Sequence, residues 1–147
     1  LLHPELGAFL AIAGELGFQV MITTNGSLLP KRGELLLESP ALLKTNISLQ
    51  SFEANAGGEL EAYLDGCIAF AESSARAGKR CEFRLWNQNG LESLNPVIEA
   101  RLEAAFPRPW KKSRSPDICS SARRRSILRF RRKAPTRCRT TPSRSRT

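Results

Sequence analysis

Polar residues follow each of three short apolar segments of this chain, and they are the residues best placed to bind a ligand. The first segment ends in TTNG, which contains Asn25 and Gly26, and the second ends in SLQS, which contains Ser48 and Gln50. The third, FRLWN, contains Arg84. In parallel α/β domains the ligand lies at the carboxyl ends of the strands, where loops and helix N-termini converge. These three polar segments are therefore the candidate binding region.

The cysteines form no motif that chelates a metal. Cys67, Cys81, Cys119 and Cys138 are separated by 14, 38 and 19 positions, without the close pairs typical of metal sites. Cys67 falls on the apolar face of a predicted helix, where a thiol is most often a small buried hydrophobic group. The sequence as it stands predicts no metal site.

Helices and strands alternate along residues 1 to about 107. Short apolar runs bounded by polar turns predict strands over residues 18–23, 45–49 and 81–86, and helical spacing predicts helices over residues 4–16, 31–39, 60–77 and 95–106. The connections between strands are too long for hairpins, which implies right-handed crossovers and a parallel sheet covered by helices. Because three strands cannot close a barrel, we expect neighbouring strands before Leu1, after Phe106, or both.

The charge of the chain is divided between two regions. Residues 111–147 hold 14 of the 23 Lys and Arg residues and one acidic residue, Asp117, which gives +13; residues 1–110 carry 9 basic and 13 acidic side chains, which gives −4. No helical or alternating period continues after Trp110, and too little apolar surface accompanies too much like charge for folding. We expect one α/β domain over residues 1–107 and a disordered tail over residues 108–147, rich in Arg, Ser and Pro.

Two interpretations of the basic tail remain open. An arginine-rich arm could bind nucleic acid by neutralising phosphates, with affinity that falls steeply as salt rises. Alternatively, the sequence after Trp110 is a frameshifted translation, because Arg, Pro, Ser and Cys are what coding sequence of high GC content yields out of frame. The abrupt change in composition favours the frameshift, so a nucleic-acid partner is expected only if the tail is genuine.

Composition also indicates the class of protein and where it works. A mildly acidic body is typical of a soluble metabolic domain. No uninterrupted apolar run approaches the ~18 residues needed to cross a bilayer, and no signal-peptide pattern is present. We expect a cytoplasmic protein without a membrane partner. Because the chain opens with Leu1 and its first residues already lead into a helix, we also expect it to be a fragment.

Four segments resemble, in their order and spacing, the middle of a radical SAM enzyme: LLHPEL, MITTNGSLL, NISLQSFEAN and FRLWNQNG. Such an enzyme is a partial (β/α)6 barrel that holds a [4Fe-4S] cluster and S-adenosylmethionine. In this family LLHPEL typically follows a Gly-Gly-Glu-Pro segment after the second strand, TTNG ends the third strand, and a strand like ISLQS is the fourth. The resemblance covers residues 1 to about 106 and implies an incomplete parallel (β/α) barrel of the TIM-like type.

The resemblance selects five residues within these polar segments and implies a role for each. Asn25 and Gly26 would line the S-adenosylmethionine pocket, where a glycine permits close approach of the backbone. Ser48, with Gln50 as a second candidate, would hydrogen-bond the ribose or the methionine part, and Arg84 would contact the methionine carboxylate or the substrate. Simpler structural roles stay open: a strand-to-helix turn at Asn25 and Gly26, a neighbour's hydrogen bond for Ser48, and the solvated face of an edge strand for Arg84.

The chain departs from the family in one decisive respect. The CxxxCxxC loop, whose three thiolates bind three irons of the cluster, is absent, and so is the Gly-Gly-Glu that precedes LLHPEL. We therefore expect a radical SAM fragment that is inactive alone and whose substrate is unknown. The alternatives are an α/β module whose basic arm binds nucleic acid, and another parallel α/β enzyme such as an aldolase or lyase. No catalytic lysine or carboxylate pair at the strand ends supports the last.

Overall fold

The computed structural model describes residues 1–54, 58–86 and 94–106, together with the backbone of residues 111–114 and 125–130. Along these residues the elements are α1 (Leu6–Glu15), β1 (Val20–Thr24), α2 (Leu29–Glu38), β2 (Leu42–Ser48), α3 (Ser51–Ala54), α4 (Leu60–Arg76), β3 (Arg80–Trp86), α5 (Asn95–Ala105), β4 (Lys111–Arg114) and β5 (Arg125–Phe130). The three strands and four longer helices predicted before residue 107 are all present. The short helix α3 lies in the connection between the predicted strand over residues 45–49 and the predicted helix over residues 60–77.

The strands form one sheet in the order β1-β2-β3-β5-β4. Strands β1, β2 and β3 are parallel, and a helical crossover joins each to the next, as the lengths of the connections require. The predicted α/β class and the parallel arrangement of these three strands are therefore confirmed.

Two strands lie in the basic tail, where the sequence predicts no regular structure. Strand β5 pairs antiparallel with β3, and β4 pairs antiparallel with β5. The backbone of these two segments departs from the disorder expected of the tail; for the other residues of the tail that expectation stays a prediction. The physical reason is that the outer edge of β3 offers unpaired backbone N–H and C=O groups. Backbone hydrogen bonds between strands form with almost any side chains, so a basic segment can pair there. Residues 107–110, 115–124 and 131–147 lie outside the described part of the chain.

The sheet has two chemically different faces. Alternate residues of β2 and β3, such as Ile47 and Phe83, are fully buried beneath the helices. The residues between them point to the opposite face, because successive side chains of a strand alternate. We call this opposite surface the polar face; it carries Thr23, Lys44, Asn46, Ser48, Glu82 and Arg84.

Helix α4 is the centre of the helical layer. The apolar face of this helix, on which the sequence places Cys67, is buried at Leu64, Cys67, Ile68 and Ala71, and Leu60 and Tyr63 pack against the core from its margin. Gly33 lets α2 approach α4 closely, because a Cβ at this position would lie 2.7 Å from the ring of Phe70 on α4. None of the helices in the described ranges is long and apolar enough to cross a membrane.

Helix α1 packs beside α2 but keeps an apolar stripe in solvent. Leu10 is buried and a Cβ at Gly7 would touch Leu35 of α2. Phe9, Ile12 and Leu16, by contrast, are each more than half exposed. The helical spacing that predicts this helix therefore does not identify which of its apolar residues are buried.

Candidate functional site

Because the strands are parallel, their three polar carboxyl ends lie at the same end of the sheet. Thr24, the last residue of β1, is the register partner of Ile47, and Ser48, the last residue of β2, is the partner of Arg84. Asn25 and Gln50 follow these strands within two residues. Ser48 and Arg84 therefore lie side by side on the polar face, next to the turns that follow β1 and β2.

Asn25 is engaged in its own turn. Its Oδ1 accepts hydrogen bonds from the Ser27 backbone N–H at 3.2 Å and from the Ser27 hydroxyl at 2.9 Å. Its backbone carbonyl accepts a hydrogen bond from the Tyr63 hydroxyl of α4 at 2.6 Å. These contacts correspond to the simpler role of Asn25 in a strand-to-helix turn. They also fix the position of the loop at the carboxyl end of β1.

Gly26 is required by packing on the helix-covered side of the sheet. Its φ of +84° is one that residues with a Cβ rarely adopt, and a Cβ there would lie 2.7 Å from Cys67 Sγ and 3.1 Å from Ile47 Cγ2. The need for glycine at this position therefore follows from α4 and β2 alone. The approach of a ligand to the Gly26 backbone, which the resemblance implies, stays a prediction.

Three polar atoms near the carboxyl ends of β2 and β3 are buried and unpaired. Within the described residues, Gln50 Oε1, Arg84 Nε and Asn46 Oδ1 have no hydrogen-bond partner. The Asn46 amide nitrogen lies 3.4 Å from the Thr23 hydroxyl, and Ser48 accepts the Ser51 hydroxyl at its carbonyl oxygen. A buried donor or acceptor without a partner costs about 1 to 3 kcal/mol, so these atoms are a place where a ligand would restore lost hydrogen bonds.

Lys44 and Glu82 add a charged pair to the polar face, further from the strand ends. Their side chains form an ion pair at 2.8 Å and are 16% and 11% exposed. Lys44, Asn46 and Glu82 are not among the residues predicted from the sequence, and Thr23 belongs to the predicted polar strand end TTNG without an assigned role. Their signal was the alternation along the strands, since Thr23, Asn46 and Glu82 each lie two residues before a candidate and Lys44 lies four residues before Ser48.

The two described cysteines do not suit an iron-sulfur cluster. Cys67 and Cys81 are buried free thiols, and burial raises the pKa of each to about 12. Cluster ligands are thiolates, whereas these groups stay protonated at neutral pH and belong to the helix-covered side. No group of three or more His, Cys, Asp or Glu residues that could hold a metal occurs in the described ranges.

The polar side chains at this end of the sheet can donate and accept hydrogen bonds. The Arg84 guanidinium donates hydrogen bonds to carboxylates or phosphates, while the Gln50 and Asn46 amide oxygens accept them from ammonium or hydroxyl groups. A small ligand that carries an anionic group beside N–H or O–H donors would match this set. Comparisons of the chain with protein-family models, with curated proteins and with solved structures find no match.

Proposed function

We propose that residues 1–107 are part of a radical SAM enzyme, as three consecutive strands of its incomplete (β/α) barrel. In complete form the enzyme would use a [4Fe-4S] cluster to cleave S-adenosylmethionine and generate a 5′-deoxyadenosyl radical that acts on an unknown substrate. The observation that carries the proposal is the adjacency of Ser48 and Arg84 on parallel strands, beside unpaired buried atoms of Arg84 and Gln50.

The difference between the two faces of the sheet supports the proposal of a barrel. In a (β/α) barrel the helices cover the outside and alternate strand residues point into the interior, with the ligand at the carboxyl ends of the strands. Here the helices cover one face of β2 and β3, and the polar face carries Asn46 and Glu82, which are 4% and 9% exposed. The polar face would form part of the barrel interior.

The residues of this chain would hold S-adenosylmethionine by its polar groups. Arg84 would bind the methionine carboxylate through its Nε–H, and the Gln50 amide oxygen would accept a hydrogen bond from the ammonium or a ribose hydroxyl. Ser48, between Arg84 and Gln50, would hydrogen-bond the ribose or the methionine part. The turn at Asn25 and Gly26 would line the pocket from the side of β1.

The cluster would be held by residues outside those described. Cys67 and Cys81 do not fit it, and the sequence carries no CxxxCxxC. The cluster supplies the electron that cleaves the sulfonium, so the chain alone would bind the ligand without turning it over. An in-frame CxxxCxxC and Gly-Gly-Glu-Pro upstream of Leu1 in the encoding DNA would support the proposal, and a complete upstream gene with neither would contradict it.

Ligand binding by the full 147-residue chain tests the site directly. Isothermal titration with S-adenosylmethionine should give saturable binding, and Arg84→Met should weaken it at least ~10-fold, because a charge-assisted hydrogen bond of about 1.5 to 3 kcal/mol is lost. The matched control is Arg76→Met, which removes an exposed arginine of α4 and should change nothing. No binding, or equal binding by the wild-type chain and Arg84→Met, would refute the site.

A second candidate function rests on the charge of residues 111–147. Their net +13 favours binding of a polyanion such as RNA or DNA, with affinity that falls steeply with salt. Removal of residues 111–147 should then abolish binding to a mixed-sequence oligonucleotide; binding that survives would assign it to residues 1–110. If another forward frame of the encoding DNA restores a β/α pattern after Trp110, the tail is a frameshift product and this candidate is withdrawn.

A further inference from the structure

The side chain of Tyr63 contacts both the turn after β1 and the segment after β2, which carry four of the candidate residues. Tyr63 belongs to the first turn of α4, and its hydroxyl donates a hydrogen bond to the Asn25 backbone carbonyl at 2.6 Å. Its ring lies against the ring of Phe52, with the centroids 5.0 Å apart and the planes tilted by 35°. Phe52 follows Gln50 by two residues. One side chain of the helical layer therefore joins the two segments.

The contact of Tyr63 with the turn after β1 is close. A Cβ at Gly26 would lie 3.2 Å from the Tyr63 hydroxyl oxygen, so the hydroxyl packs directly against the backbone of this turn. Burial raises the pKa of the hydroxyl, which therefore keeps its proton and donates to Asn25 at neutral pH. The position of the turn is consequently set from the helix-covered side of the sheet, where Tyr63 reaches it without entering the polar face.

The segment after β2 is held on two sides. The Leu49 backbone N–H donates to the Arg84 carbonyl at 3.0 Å, which attaches the start of the segment to β3. Two residues further along, the Ser51 hydroxyl lies close enough to the hydroxyl of Tyr63 to interact with it. Gln50 lies between these two attachments. A displacement of Tyr63 would therefore move Gln50 relative to Arg84, the two residues whose buried polar atoms lack a partner within the described ranges.

We propose that Tyr63 is a positioning residue of the ligand site. It holds the turn after β1 and the segment after β2 in one fixed relation, so that a ligand meets the polar groups of both already aligned. Groups aligned before binding need less ordering when the ligand arrives, which raises affinity. Tyr63 does not touch the ligand, because it contacts the two segments from the helical layer. The inference rests on the proposed function for the identity of the ligand, whereas the coupling of the two segments is independent of it.

Binding of S-adenosylmethionine to the full chain tests the role of the hydroxyl. Tyr63→Phe removes the bond to Asn25 and keeps a ring of nearly the same size against Phe52. Isothermal titration should show an affinity at least ~5-fold lower, the size expected for the loss of one neutral hydrogen bond. Circular dichroism of the variant should match that of the wild-type chain.

A matched control lies on the same helix. Phe70 is 5% exposed and packs against Gly33 of α2, away from the two segments. Phe70→Leu should therefore be less stable in urea and yet bind S-adenosylmethionine with unchanged affinity. Unchanged affinity of Tyr63→Phe would overturn the proposal. So would an equal loss of affinity in Phe70→Leu, because any weakening of α4 would then be sufficient.

Amide hydrogen exchange of the ligand-free chain tests the coupling of the two segments. The reporters are the amides of Gly26 and Ser27, bonded within the turn after β1, and the amide of Phe52, bonded within the segment after β2. Tyr63→Phe should speed exchange at both sets ~5-fold. Phe70→Leu should change neither, because these amides exchange by local opening and not by global unfolding.

The exchange experiment separates the two ways in which the inference can fail. Faster exchange confined to Gly26 and Ser27 would overturn it, because the two segments would then move independently. A wild-type chain that does not bind S-adenosylmethionine would refute the proposed function, whereas exchange at Phe52 in Tyr63→Phe would still decide whether the segments are coupled.

Discussion

Ser48 and Arg84 are register partners on adjacent parallel strands, and both belong to the polar face of the sheet. Ser48 ends β2, whereas Arg84 lies two residues before the end of β3. In the part of the chain that is described, Arg84 Nε is buried without a hydrogen-bond partner. The pair thus combines a position suited to a ligand with an unpaired buried donor that a ligand would satisfy.

Replacement of Arg84 should therefore separate stability from binding. We expect Arg84→Met to raise the free energy of unfolding of the ligand-free chain by about 1 kcal/mol, because an unsatisfied buried donor is replaced by an apolar side chain of similar length. Urea denaturation of the wild-type and variant chains measures the difference. A loss of stability of the same size would show that the guanidinium stabilises the fold.

Gly26 should tolerate no side chain. Gly26→Ala combines a strained positive φ with a Cβ placed 2.7 Å from Cys67 Sγ, so the expected loss is about 3 kcal/mol. Gly17→Ala is the control, because Gly17 has a φ of +74° but nothing within 4 Å of a Cβ, and it should lose only about 1 kcal/mol. Equal losses in urea denaturation would mean that backbone strain alone explains the glycine at position 26.

The ion pair on the polar face should matter more than the one on the surface of α4. Lys44 and Glu82 are mostly buried and 2.8 Å apart, so Glu82→Gln, which leaves Lys44 charged, should cost about 2 kcal/mol. Glu72 and Arg76 are 4.0 Å apart and largely exposed, and Glu72→Gln should cost less than ~0.5 kcal/mol. Unfolding in urea at low and at high salt measures both; a comparable small loss at the two sites would contradict the burial argument.

Alkaline pH should destabilise the fold through its buried thiols. Burial raises the pKa of Cys67 and of Cys81 from 9.0 to about 12, so above pH 9 the unfolded chain releases protons that the folded chain retains. The stabilisation is complete below pH 9 and is lost as pH rises toward 12, by up to about 1.4 kcal/mol per pH unit for each thiol. Urea unfolding at pH 8 and pH 10.5 measures this loss.

Variants of the thiols assign the alkaline loss. Cys67→Ala should reduce the difference in stability between pH 8 and pH 10.5, although the variant starts from a lower stability because a core side chain is shortened. Cys81→Ala should reduce it in the same way. If neither variant changes the difference, other groups cause the alkaline loss and the two thiols are more accessible than their burial indicates.

Much of the fold could be predicted from local patterns in the sequence. The strands β1, β2 and β3 and the helix α4 follow from apolar runs and helical spacing, and the parallel order follows from connections too long for hairpins. The adjacency of the strand ends that carry Ser48 and Arg84 is a consequence of that order. These features depend on contacts near in sequence or on a topological rule, which is why the residues alone determine them.

Other features depended on which surfaces meet. The sequence could not show that Gly26 faces Cys67, that Lys44 pairs with Glu82, or that Phe9 and Leu16 stay exposed while Leu10 is buried. Nor could it show that β5 would pair with β3, since backbone hydrogen bonds form at an open edge with little regard for side chains. Register, burial and edge pairing are set by contacts between residues distant in sequence, and only the tertiary structure fixes those.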